Sequence, residues 1–197
     1  MNSRIRLFGA ISALLLGSSP LLASGTSETG NADGALPTFV RPEQDAKACW
    51  RTQTSAAQLA AEPHRRAQSV ALSMQTQISP PDEDWPEGRT LYNYELAIIF
   101  ADGRSGRALG NCLPHGADAI SCSVECDGGG ALVTHAERGS VNVDFSAFSG
   151  IRLNYCGEAG EALWFQPTAE ERRFVLQQRP ESECPAVTMP DWDAGID

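Results

Sequence analysis

The stretch "LYNYELAIIFADGRSGRALGNC", Leu91 to Cys112, decides the fold. Tyr92, Tyr94, Leu96, Ile98 and Phe100 recur every second residue, and a period of two with one apolar face defines a strand rather than a helix. Asp102-Gly103 then interrupts the run. Asp-Gly between two extended segments marks a hairpin, because the favoured two-residue turn needs positive φ at both central positions.

The same alternation extends outward in both directions. Upstream, Val70, Leu72, Met74 and Ile78 alternate with Ala71, Ser73, Gln75 and Gln77. Downstream, Ile120, Cys122, Val124 and Cys126 form one set, Val141, Val143 and Phe145 a second, and Ile151, Leu153 and Tyr155 a third. "ALVTH" (131–135), "ALWF" (162–165) and "RFVLQQ" (173–178) supply further extended segments. Turn residues separate them at short intervals, and Asp127-Gly128-Gly129-Gly130 reads as a tight turn, since glycine takes the positive φ that other residues resist. "TSAAQLAAE" (54–62) is the one helical segment expected, stopped by Pro63. About eight or nine short strands so spaced predict an all-β domain. A small antiparallel barrel is favoured over a β-sandwich, because closure removes the exposed pairing edges.

The chain divides into four parts. Residues 1–25 have the layout of a signal peptide, with Arg4 and Arg6 before a short apolar run and small residues at Ala23 and Gly25. Residues 26–47 are polar and punctuated by glycine and proline, and are expected to be a flexible lead-in. Residues 48–189 form the single β domain, and 190–197 an acidic tail. The formal net charge is −10, and removal of the leader with its two arginines takes it to −12. A surface that acidic repels nucleic acid and anionic lipid and favours a basic partner. No later segment is long and apolar enough to span a bilayer.

Export places the chain in a periplasmic or secreted, oxidising setting, where its six cysteines read as three disulfides. Cys122 and Cys126 are four apart, about 13 Å along a strand, too far to pair with each other. Proximity in the chain suggests Cys112 with Cys122 across a turn, Cys126 with Cys156, and Cys49 with Cys184, among the several connectivities that six cysteines allow. Cys156 is out of phase with Ile151, Leu153 and Tyr155, which places it at a strand end. The cysteine spacings are not those of a zinc site, and no cofactor is expected.

Chemistry is harder to find in the linear sequence. His64, His115 and His135 are the only histidines, and no nucleophile elbow or metalloprotease helix accompanies them. The loop "SPPDEDWPEG" holds Trp85 among Asp82, Glu83 and Asp84, an aromatic anchor with a charged surround that suits a basic protein. Ser149-Gly150, followed by Tyr155 and Trp164, resembles the Ser-Gly loop and downstream tryptophan of bacterial periplasmic lysozyme inhibitors, although Phe165-Gln166-Pro167 stands where those proteins carry Lys-Gly. The resemblance implies a compact β-barrel that blocks a cationic enzyme; no site residue is carried over from it. The expectation is therefore an exported, non-catalytic binding or inhibitor-like module for a cationic protein or small ligand. The alternatives are a hydrolase using a carboxylate-based site and a structural envelope component.

Overall fold

The computed structural model describes residues 33–125, 127–154 and 162–188. Ten strands follow in chain order: β1 (Lys47–Gln53), β2 (Ala67–Ser79), β3 (Arg89–Phe100), β4 (Ser105–His115), β5 (Ala119–Val124), β6 (Gly130–His135), β7 (Val141–Asp144), β8 (Ile151–Arg152), β9 (Trp164–Phe165) and β10 (Arg173–Gln178). Eight of them close a barrel in the order β1-β10-β7-β6-β5-β4-β3-β2, antiparallel at every seam, and β8 and β9 pair separately. The barrel expected from the period-two pattern is the fold adopted, and the sandwich is not.

The β3–β4 hairpin forms at Asp102-Gly103 with a different turn from the one expected. Gly103 alone has positive φ, its amide bonds the Phe100 carbonyl at 3.0 Å, and the Phe100 amide bonds the Arg104 carbonyl at 2.8 Å. Three residues, not two, therefore make the loop, a type I turn completed by a left-handed glycine. Asp102 helps hold it by accepting hydrogen bonds from the Arg104 amide and side chain.

Inward-facing side chains fill the barrel. Leu72 and Met74 from β2, Tyr94, Leu96 and Ile98 from β3, and Val133, Val143 and Leu176 from β6, β7 and β10 are all buried. One mouth is covered by β8 and β9: Phe165 packs edge-on to Phe145 at 5.3 Å and lies 6.1 Å from Phe100 and 6.3 Å from Phe174. The triple glycine serves this cover. The Gly130 amide bonds the Gly150 carbonyl, and a Cβ on Gly129 would lie 2.0 Å from that oxygen.

The opposite mouth is covered by a segment expected to be flexible. The lead-in drawn over 26–47 is packed from Asp33 onward: α1 (Leu36–Phe39) buries Leu36 and Phe39, and Val40 follows them inside. Three apolar side chains suffice to dock it, and a stretch that short carries no periodicity to announce itself. Phe39 stacks on His135 at 4.0 Å and meets Trp50 edge-on at 6.4 Å. The helix expected at 54–62 is α2 (Ala56–Ala61), opened by a capping box between Ser55 and Gln58.

Two disulfides match the expected pairs. Cys112–Cys122 crosses from β4 to β5, where the two residues are register partners, and Cys49–Cys184 ties β1 to the chain after β10. Both fit an oxidising compartment. Cys126 and Cys156 lie outside the described residues, as do the leader and the acidic tail. Beyond Cys184 the chain runs as a strap over the outer face of β2 and β3, where Ser73 donates to the Pro185 carbonyl at 2.6 Å and Thr188 lies near the Glu95 carboxylate.

Candidate binding groove

A break in the barrel wall makes the site. The β3–β4 ladder runs from Ile99↔Ser105 to Asn93↔Asn111 and stops there. Each strand continues with its other neighbour: β3 stays paired with β2 as far as Arg89, and β4 with β5 as far as His115. The two hairpins thus separate above a last crossbar, in which the Asn111 side chain donates to Asn93 at 2.7 Å. Continuing the register would set Tyr92 opposite Cys112 and Thr90 opposite Pro114. Pro114 has no amide hydrogen, so that rung would lack one of its bonds.

The N-terminal segment wedges into the separation from inside the barrel. Gly34 sits at φ +51°, so close to Pro114 that a Cβ there would lie 2.8 Å from the proline Cβ. The Tyr92 hydroxyl donates to Asp33 at 3.2 Å. Burial first, and the Asp33 charge second, push the Tyr92 phenol well above its ordinary pKa, so it remains a hydrogen-bond donor.

The result is a groove of about 1300 Å³ lined by the β2–β3 loop, the free ends of β3 and β4, Asp33 and Leu36. Its rim is apolar. Leu113 is 62% exposed, Trp85 47% and Ile78 42%, and Pro80, Pro81 and Leu91 lie between them. Trp85 stands where the sequence suggested an anchor, and the loop fixes it there. Asp82 accepts from the Trp85 amide at 2.6 Å, the Trp85 carbonyl accepts from Asp82 and Gly88, and the Arg89 guanidinium lies 4.7 Å over the indole ring.

The groove is also acidic. Asp33, Glu87 and Glu125 line it, with Arg89 the one cation among the described lining residues, and Asp82, Glu83 and Asp84 occupy the same loop as Trp85. Among the described residues none of these six carboxylates forms an ion pair, whereas Glu95 is bridged by Arg107, Asp102 by Arg104, Asp144 by Arg173 and Glu171 by Arg66. Sequence reasoning singled out Asp82, Glu83, Asp84 and Trp85, of which Trp85 lines the groove, and did not single out Asp33, Glu87, Leu91, Leu113 and Glu125. Glu87 lay two residues from Trp85 and could have been included; the rest come from elsewhere in the chain.

The buried carboxylates have structural work elsewhere. Glu171 accepts from the amides of Arg66 and Ala67 at 2.6 and 2.7 Å, while Glu95 faces Arg107 at 3.4 Å beneath the C-terminal strap. Burial raises the Glu95 pKa against the opposing pull of Arg107. His135 is taken up by Phe39 and by Thr38, whose hydroxyl lies 2.8 Å from its Nε2. Among the described residues no group of three His, Cys, Asp or Glu is placed to hold a metal ion, and no helix is long and apolar enough to cross a membrane. Trp164 and Ser149-Gly150, the elements of the inhibitor resemblance, belong to the β8–β9 cover at the far mouth and do not line the groove.

The molecule is thus a closed antiparallel barrel covered at both mouths, with an acidic, tryptophan-rimmed groove in its outer wall. Compared with known families, curated proteins and solved structures, the chain matches none.

Proposed function

We propose that this protein is a non-catalytic binding module that takes up a cationic protein through the groove beside Trp85. The observation carrying this reading is the set of six carboxylates around the groove, none of which forms an ion pair among the described residues. Like charges held together repel one another, and a basic partner relieves that repulsion while Trp85 and Leu113 exchange water for apolar contact. A barrel filled by its own side chains directs recognition to the outer wall, which favours a protein over a small ligand held in the lumen. The disulfides suit a role outside the reducing cytoplasm, consistent with a periplasmic or secreted protein.

Lysozyme, a compact basic protein, is a suitable probe. Binding measured by calorimetry is expected at low ionic strength and to weaken steeply as salt rises toward physiological strength. Trp85→Ala is expected to lower the affinity about tenfold or more, as loss of a central aromatic anchor does. The triple change Asp82→Asn, Glu83→Gln and Asp84→Asn should flatten the salt dependence. Binding of basic proteins that ignores both salt and these substitutions would refute the reading.

A further inference from the structure

Resting on the groove reading above, we infer that the partner enters as an extended segment that adds a β-strand at the gap between β3 and β4. In an antiparallel sheet a residue turns both main-chain groups toward one neighbour, and the next residue turns them toward the other. On β3 the even-numbered residues face β4 and the odd-numbered face β2, since the Phe100 amide bonds Arg104 while the Ala101 amide bonds Arg66. On β4 the odd-numbered residues face away from β3, as the Arg107 amide does in bonding Leu153. Beyond the Asn93–Asn111 crossbar, the main-chain groups that point into the gap therefore belong to Thr90, Tyr92, Cys112 and Pro114. None of them has a ladder partner across it.

These edges differ in access. Tyr92 and Cys112 are each only 2% exposed at the inner end, while Thr90 is half-buried and Pro114 exposed at the mouth. A strand entering from the mouth meets the Thr90 amide and carbonyl and the Pro114 carbonyl first. Leu91 and Leu113 flank the gap on the outer face, where they can grip one apolar side chain of the entering segment. The neighbouring side chains, one residue to either side, turn to the inner face, where Asp33 stands beside Tyr92. An alternation of apolar and cationic residues is therefore the sequence the gap selects, since side chains alternate along a strand just as the groove alternates leucine and carboxylate. A folded basic surface could satisfy the charges, but it could not pair with Thr90.

The probe is a capped peptide of about eight residues alternating lysine and valine, a length that spans one strand. It is expected to bind the intact, disulfide-bonded protein and to slow hydrogen exchange at the Thr90 amide. The Leu91 amide, already paired with β2, should not change. N-methylation of the peptide at alternate residues should lower its affinity about tenfold whichever set is methylated, because one set of amides faces the Thr90 carbonyl and the other the Pro114 carbonyl. An affinity that no N-methylation lowers, or an unprotected Thr90 amide in the complex, would overturn strand addition while leaving charge recognition standing. Binding of lysozyme without binding of the peptide would overturn it in the same way. Failure of both probes would refute the groove reading, and strand addition with it.

Discussion

Replacing both Cys49 and Cys184 by alanine is expected to destabilise the protein far more than the same change at Cys112 and Cys122. The first bond joins residues 135 apart in sequence and the second residues 10 apart. A cross-link removes freedom from the unfolded chain in proportion to the logarithm of the loop it closes. That loss corresponds to about 5 kcal/mol for the long loop and about 2.7 kcal/mol for the short one at room temperature. The folded structure widens the difference. Cys112 and Cys122 already face each other in the β4–β5 ladder, whereas Cys49–Cys184 anchors the strap that covers Ser73 and Glu95. With about 2 to 4 °C of melting temperature per kcal/mol for a domain of this size, the two variants should melt roughly 5 to 10 °C apart. Urea unfolding followed by the fluorescence of buried Trp50 and the other tryptophans gives the free energies directly. Equal midpoints for the two variants, or a greater loss at Cys112 and Cys122, would refute the reasoning.

Three further outcomes follow from buried groups and one close approach. Glu171→Ala should cost about 3 to 5 kcal/mol in thermal unfolding, because it strips the acceptor from the buried amides of Arg66 and Ala67 and leaves Arg66 without its ion pair. Gly129→Ala should cost about 2 kcal/mol or more in the same assay, since a side chain at φ +72° would also press on the Gly150 carbonyl. Glu95 has a raised pKa in the fold, so the folded chain holds that proton more tightly than the unfolded chain does. Its ionisation therefore costs stability at neutral pH, and the cost disappears as pH falls through the folded pKa toward the unfolded value of about 4.3. Glu95→Gln should accordingly be more stable than the native protein at pH of about 7 and equal to it near the unfolded value, as melting temperatures across that range will test.

The strands legible in the sequence were those with one apolar and one largely polar face. Val70 to Ile78, Tyr92 to Phe100 and Val141 to Phe145 alternate because every second side chain enters the apolar barrel while polar residues such as Ser73, Asn93 and Glu95 take the other face, and that rule acts locally. β1 escaped because it obeys the rule only partly: Trp50 points into the barrel, but Cys49 beside it is also buried, under the strap that Cys184 secures. The α1 segment escaped because Leu36, Phe39 and Val40 are too few to show a period, and only the open mouth of a finished barrel gives them somewhere to pack.

The sequence by itself determined the pleated, alternating wall, the hairpin at Asp102-Gly103 and a tryptophan set among acids. Tertiary structure decided the closure of β1 against β10, two strands more than a hundred residues apart in the chain, and the parting of β3 from β4 above Asn93 and Asn111. It also gathered Asp33, Trp85, Leu113 and Glu125 around that gap. Side-chain alternation is a property of neighbours along the chain, whereas a groove is made where distant segments fail to pair, and no local pattern records a missing rung.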